Sequence, residues 1–353
     1  MSLAVTVCAP LSVDPVQALS GLLAALGADV EIRYPVDLLP PQRFPADHGG
    51  EPAFTRTGAQ EARWRELLAR TEVALGIPGD SPSGFRDLVT AAPQLRWVQG
   101  TAAGTGEQVV RSGVGSEVLD RVAVTSAAGV HARPLAEFAV FGLLALAKDV
   151  DRLFVLSSRR QWGDRWVMRQ LAGSTVAVVG LGAVGREVSR LLGLLGATVY
   201  GVHRKVSARS VDGVTHDVSV ADLDAVLPRC DAVVVALPAT TDTVGLFDAG
   251  RLSRLPAHAV LVNIGRGSVV DTSALVAALD SGRLRGAVVD VTDPEPLPED
   301  SPLWDRPNVI VSPHTAAVTD LEDDRIVDLF GNNLERFVTG RPLHNLIAVQ
   351  RGY

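Results

Sequence analysis

Val176-Ala177-Val178-Val179-Gly180-Leu181-Gly182-Ala183-Val184-Gly185 is a short apolar run that opens into three glycines at Gly-x-Gly-x-x-Gly spacing. An unbroken stretch of valine and alanine predicts a strand buried on both faces. At this spacing Gly180 permits a tight turn, Gly182 lets the backbone approach a pyrophosphate, and Gly185 lets the next helix pack close to the strand. The free N–H groups at the start of that helix, around Ala183 and Val184, then face the phosphates. Three glycines at this spacing also occur in ordinary turns. The strand before them and the helix after them favour a dinucleotide site.

Working outward, the middle of the chain repeats the pattern. Strands are predicted at Thr175–Gly180, Thr198–Val202, Ala232–Leu237, Ala259–Asn263, Gly286–Val291 and Val309–Val311. Helical segments such as Gly185–Leu195 and Thr272–Ser281 separate most of them. Alternation of this kind implies right-handed crossovers and a doubly wound parallel sheet. The first third reads as a smaller, flavodoxin-like α/β unit, with strands at Val5–Ala9, Val30–Tyr34, Val73–Gly76 and Leu95–Gln99. Helices are expected there at Pro15–Leu26 and Glu61–Arg70, and residues 35–60, rich in Pro and Gly, as a loop or surface insertion. A helix over Leu321–Phe337 would return the chain to this first unit. The expected division is 1–129 with 318–353 as the substrate-binding (catalytic) domain and 130–317 as the dinucleotide-binding Rossmann domain.

Composition sets limits. The chain has 353 residues, 47% hydrophobic and 21% charged, enough for two cores without a disulfide scaffold. A formal net charge of −7 with no basic tract argues against nucleic acid and against an anionic membrane surface. Cys8 and Cys230 sit among apolar residues and read as buried free thiols, which suits a reducing cytoplasm. The N-terminus lacks the basic flank of a secretory signal. The most apolar stretch, Leu135–Ala147, is too short to span a bilayer and contains Glu137. No added domain follows Tyr353, so feedback through one is not expected.

The strand Thr198–Val202 ends at His203-Arg204-Lys205, where a carboxylate would be expected if it held the ribose hydroxyls of NAD. Arg204 with Lys205 would attract a 2′-phosphate instead. NADP(H) is therefore the preferred cofactor, with NAD(H) left open if these are only solvated surface charges.

Three further motifs fall at strand ends of the middle domain: Val262-Asn263-Ile264-Gly265-Arg266-Gly267, Val289-Asp290-Val291-Thr292-Asp293-Pro294-Glu295-Pro296-Leu297-Pro298 and Ser312-Pro313-His314-Thr315-Ala316-Ala317. Ligands of open α/β sheets bind beyond the carboxyl ends of the strands, so the three should converge on the cofactor's reactive end. With the glycine loop, and in this order, they resemble the D-isomer-specific 2-hydroxyacid dehydrogenase family (glyoxylate/hydroxypyruvate reductase-like and phosphoglycerate dehydrogenase-like). The resemblance is strongest from about Gly129 to Pro342 and weaker at Leu95–Gln99 and Ala102-Ala103-Gly104.

The resemblance implies an oxidoreductase moving a hydride between NAD(P)H and a 2-oxo acid/D-2-hydroxy acid pair. The chemistry needs these residue types. His314 would give a proton to the carbonyl oxygen and take it back in reverse, a task suited to an imidazole with an ordinary pKa of about 6.5. Glu295 would orient His314 and favour the imidazolium. Arg266 would bind the substrate carboxylate and polarise the carbonyl. Glu295 has neighbouring decoys in Asp293 and Glu299; its position five residues after Asp290 matches the family pattern.

The resemblance further implies cofactor contacts at Leu237, Pro238, Thr243, Ile264, Asp290 and Ala316, beside Gly180, Gly182, Ala183, Val184, Gly185, His203 and Arg204. Asp290 would meet the nicotinamide carboxamide. Backbone N–H groups around Ala102, Ala103 and Gly104, through Thr105, would hold the substrate carboxylate together with Arg266 and His314. His131 or Arg133 would touch substrate or serve the structure alone. Trp304 reads as packing near the site's rim. No metal is implied. The helix Leu135–Ala147 resembles one that forms a two-fold homodimer in the family. Two rival functions remain: a non-catalytic dinucleotide-sensing interaction protein of the same fold, and a phosphite-type dehydrogenase.

Overall fold

The computed structural model describes residues 2–27, 29–204 and 210–347. Within them the chain is α/β, with every sheet strand parallel to its neighbours. Strands β1 (Leu3–Val7), β2 (Val30–Arg33), β3 (Val73–Leu75), β4 (Trp97–Gln99) and β5 (Ala123–Thr125) form one sheet in the order β2-β1-β3-β4-β5. Strands β6 (Thr175–Val179), β7 (Thr198–His203), β8 (His216–Ser219), β9 (Ala232–Val235), β10 (Val260–Asn263), β11 (Gly286–Val289) and β12 (Val309–Val311) form the other, in the order β12-β11-β10-β9-β6-β7-β8. The chain divides into two units, Met1–His131 with Val318–Tyr353, and Ala132–Ala317.

The larger unit shows why its central strands are mostly apolar. Val176 and Val178 of β6 point to one face, with Val188 and Leu192 of the helix Ala183–Leu194 and with Ala139, Leu143 and Leu146 of the helix Ala132–Ala147. Ala177 and Val179 point to the other, with Leu275, Ala278 and Leu279 of the helix Thr272–Asp280. Successive side chains of a strand face opposite ways, so in a sheet covered on both sides a polar residue is buried and must find hydrogen-bond partners. Each fully buried valine or leucine contributes about 1.5–3 kcal/mol by leaving water. Sequence order reverses between β6 and β9, and that is where a crevice opens at the carboxyl edge of such a sheet.

The helix Ala132–Ala147 uses most of its apolar surface in this packing. Phe141, 52% exposed, keeps an outward face.

In the smaller unit the last helix, Glu322–Val338, returns to the sheet of β1–β5. Phe330 and Phe337 stack on Trp97 of β4 with ring centroids 5.2 and 5.4 Å away. The Trp97 indole N–H donates to Thr125 Oγ1 at 2.9 Å, which satisfies the one polar atom of a side chain with no exposure.

The structure corrects three expectations. The helix expected over Pro15–Leu26 is broken at Leu19 into Pro15–Ala18 and Ser20–Leu26. Strands β5 and β8 add to those anticipated. Residues 35–60 run largely as loop up to the helix that starts at Gly58, as expected, but not over the surface alone: Leu38, Leu39, Asp47 and His48 are buried. Arg56 packs over the Trp64 ring at 4.4 Å and donates to the carbonyl of Leu38. Cys8 and Cys230 are free and buried, and burial pushes both thiols up to about 12. Among the described residues no helix is long and apolar enough to cross a membrane.

Candidate active site

The glycine loop sits at the crevice beside β6. Gly180 takes φ +104°, and a Cβ there would lie 2.7 Å from the Ala236 carbonyl oxygen at the end of β9. A Cβ on Gly185 would lie 1.8 Å from the Gly180 carbonyl oxygen, so only glycine lets the helix start this close to the strand. Gly182, the N-cap, differs: a Cβ there meets nothing within 4 Å. The N–H groups of Gly182, Ala183 and Val184 donate to no acceptor among the described residues. Tight packing behind and open N–H groups in front are what a bound pyrophosphate requires, and the residues fit a dinucleotide.

At the end of β7, His203 Nε2 lies 3.2 Å from Asp217 Oδ1, so the carboxylate near this strand end comes from the neighbouring strand β8. Its geometry is that of an ion pair without a directed hydrogen bond. Arg204 is exposed and pairs with no carboxylate among the described residues. Lys205 lies outside the described residues. Leu237 and Pro238 follow β9. The Thr243 hydroxyl donates to the Pro238 carbonyl at 2.6 Å and accepts from Thr240 N, closing that loop upon itself.

Beyond β10, β11 and β12, three adjacent strands, lie the loops carrying Arg266, Glu295 and His314. His314 Nδ1 is 2.6 Å from Glu295 Oε1, and both side chains are nearly half exposed. Asp293 and Glu299 make no such contact with the imidazole. Glu295 stands between two prolines, which restrict its backbone, while Thr272 Oγ1 donates to the Asp293 carbonyl and Thr292 Oγ1 to that of Pro294. With Nδ1 committed to Glu295, Nε2 is the nitrogen left for a ligand.

The loop of Arg266 abuts the loop of Glu295: a Cβ on Gly267 would lie 1.9 Å from the Thr292 carbonyl oxygen. The half-buried guanidinium donates once, from Nη1 to the Gly265 carbonyl at 2.8 Å, and pairs with no carboxylate among the described residues. Its other donors are free to take an incoming carboxylate.

Asp290 has a structural task that its sequence position does not announce. It is 2% exposed, and its Oδ1 accepts from Ser312 Oγ at 2.7 Å and from Thr315 N and Ala316 N at 3.0 Å. It holds the loop that carries His314. Ile264 is 4% exposed and its side chain packs in the core, which leaves only its backbone for a ligand.

In the smaller unit, Ala102, Ala103 and Gly104 lead from β4 into the helix Thr105–Ser112. Their N–H groups donate to no acceptor among the described residues, whereas Thr105 N reaches the Ala102 carbonyl at 3.4 Å. His131 and Arg133 are both engaged: His131 Nε2 with Glu322 Oε1 at 2.9 Å, Arg133 with Glu137 and Glu187. Trp304 is 49% exposed and donates its indole N–H to the Pro298 carbonyl.

Comparison with known proteins gives a consistent pattern. The family profile described as "D-isomer specific 2-hydroxyacid dehydrogenase, NAD binding domain" matches residues 140–316. Glyoxylate reductase of Thermofilum pendens is 33% identical over 224 residues, 62% of this chain and 65% of that protein. Glyoxylate/hydroxypyruvate reductase A of Salmonella choleraesuis is 36% identical over 179 residues, 51% of this chain and 56% of that protein. Among solved structures, the NADPH-dependent glyoxylate/hydroxypyruvate reductase of Sinorhizobium meliloti, in complex with NADP and sulfate, superposes with a TM-score of 0.72 at 27% identity, covering 100% of both chains.

Proposed function

The chain belongs to the D-isomer-specific 2-hydroxyacid dehydrogenases, which move a hydride between NAD(P)H and a 2-oxo acid/D-2-hydroxy acid pair, and we propose that it is an NADPH-preferring reductase of small 2-oxo acids such as glyoxylate or hydroxypyruvate. The observation that carries this is the His314–Glu295 pair at 2.6 Å, one loop away from a guanidinium with no carboxylate partner among the described residues.

A bound nicotinamide supplies the hydride for the substrate's carbonyl carbon. Arg266 takes the substrate carboxylate and draws negative charge onto the carbonyl oxygen. His314 gives its Nε2 proton to that oxygen, while Nδ1–H stays donated to Glu295, which keeps the ring aimed. In oxidation the same nitrogen accepts the hydroxyl proton. Gly182, Ala183 and Val184 would hold the pyrophosphate, and Asp290 the nicotinamide end. We assign the substrate-binding domain to 1–129 with 318–353, where Ala102, Ala103 and Gly104 present N–H groups suited to an anion, and 130–317 to the dinucleotide.

NADPH preference rests on the exposed Arg204, which pairs with no carboxylate among the described residues, and on the absence of a carboxylate from the end of β7 itself. The relative from Sinorhizobium meliloti is named as NADPH-dependent. We further propose a cytoplasmic homodimer. The dimer's support is the apolar groove of about 680 Å³ formed by Val140, Phe141, Leu144, Leu191, Leu194 and Leu195, and the buried free thiols of Cys8 and Cys230 fit a reducing cytoplasm.

Initial rates with glyoxylate, hydroxypyruvate, pyruvate and 3-phosphohydroxypyruvate, each with NADPH and with NADH, test the reading. The expected result is fastest turnover on the first two, with a higher kcat/KM for NADPH than for NADH. A higher kcat/KM for NADH, or no turnover with any of the four, contradicts it.

A further inference from the structure

Asn263 is the last residue of β10 and is 1% exposed, a buried amide at the end of an otherwise apolar strand. A buried amide needs partners, and this one takes them from the loop it leads into. Its Nδ2 donates to the Arg266 carbonyl at 3.1 Å, and its Oδ1 accepts from Gly265 N at 3.2 Å. The side chain thus spans the bend from strand to arginine and fixes it at both ends. Gly265 is also packed from outside, since a Cβ there would lie 2.5 Å from the Leu237 carbonyl oxygen.

Among the described residues the Arg266 guanidinium donates only to the carbonyl of the preceding residue, and its backbone is extended, at φ −136° and ψ 143°. The direction of the side chain is therefore set by where its own peptide unit is held. That unit's carbonyl accepts two hydrogen bonds among the described residues, one from Val269 N at 3.2 Å and one from a side chain, the Asn263 amide.

We propose that Asn263 is a positioning residue for Arg266, fixing the guanidinium where it can grip the substrate carboxylate and polarise the carbonyl. This rests on the role given to Arg266 above. A misplacement of about 1 Å at a reacting centre costs on the order of 10²-fold in rate. Loss of the amide should therefore be felt in the use of the 2-oxo acid more than in cofactor binding.

A double-mutant cycle separates positioning from general support of the fold. Asn263→Ala, Arg266→Ala and the double variant are compared with the parent protein by kcat/KM for glyoxylate at saturating NADPH. NADPH affinity is read by fluorescence titration. Asn263→Ala is expected to lower kcat/KM by about 10–100-fold with a raised KM for glyoxylate and a nearly unchanged NADPH affinity. In the Arg266→Ala background the same change should cost less than about 2-fold, because no guanidinium remains to aim. An equal loss in both backgrounds, or no loss in either, overturns the proposal. Full activity of Arg266→Ala alone sinks the reading beneath it instead. Asn263→Asp, of nearly the same shape but without the donor, repeats the cycle if Asn263→Ala fails to fold.

Discussion

His314 holds φ +54°, a conformation that costs a non-glycine residue on the order of 1 kcal/mol and persists only where neighbours over-determine it. Here they do. Its N–H donates to the Asp290 carbonyl at 2.9 Å, and the next two N–H groups grip the Asp290 carboxylate. A second buried pair, in the smaller unit, gives a prediction of its own. His48 Nε2 lies 2.7 Å from Asp323 Oδ1, and both side chains are at most 5% exposed. Burial pushes the Asp323 carboxyl up, but the hydrogen bonds from His48 and Ser12 N outweigh it and bring it to about 2. Burial pushes the His48 imidazole down; the Asp323 hydrogen bond and the charges of Asp323, Glu322 and Asp80 outweigh it and raise it above its ordinary value. Asp323 thus stabilises the fold fully above its unfolded pKa of about 3.9, and that contribution is lost as pH falls toward the folded value. His48 stabilises fully below about 6.5 and loses its contribution as pH rises through its raised folded value. Urea unfolding of His48→Gln should show a deficit of about 2 kcal/mol between about pH 4 and 6.5, shrinking on either side. A deficit that ignores pH would contradict this account.

Elements were legible where one rule dominated. The buried strands of the larger sheet are continuous apolar runs bounded by turns, and β6, β7 and β9–β12 stand where those runs are. β8, His216-Asp217-Val218-Ser219, is an edge strand with two exposed residues, and nothing in its pattern separates it from a loop. β5 has three residues, too few for any period. Residues 35–60 misled because proline and glycine signal irregular backbone and say nothing about burial. His48 is held by a partner 275 positions away, which no local pattern reveals. In the candidate site, the motifs of Arg266, Glu295 and His314 and the glycine loop could be read as motifs. The tasks of Asn263 and Asp290 could not, although each had a signal: a polar residue ending a fully apolar strand must be hydrogen-bonded somewhere. The carboxylate that meets His203 comes from β8, a contact that depends on strand pairing rather than on sequence distance.

At the scale of the molecule, the outward face of the helix Ala132–Ala147 asks for a cover. Phe141 is 52% exposed and Leu194 74%, around a groove with almost no polar lining beyond its rim. Contiguous apolar patches of this kind mark interaction surfaces, and a second copy is the occupant we assign. Light scattering at micromolar concentration should give twice the 37.2 kDa mass of the chain, and the mass of a single chain would contradict the dimer. The account as a whole turns on the proton that His314 gives to a substrate oxygen. Its most direct test is single-turnover oxidation of enzyme-bound NADPH on mixing with glyoxylate, comparing the parent protein with His314→Ala. The expected result is NADPH binding within about 2-fold of the parent and hydride transfer slower by about 10²–10⁴-fold. Transfer at the parent rate by the variant would contradict the account.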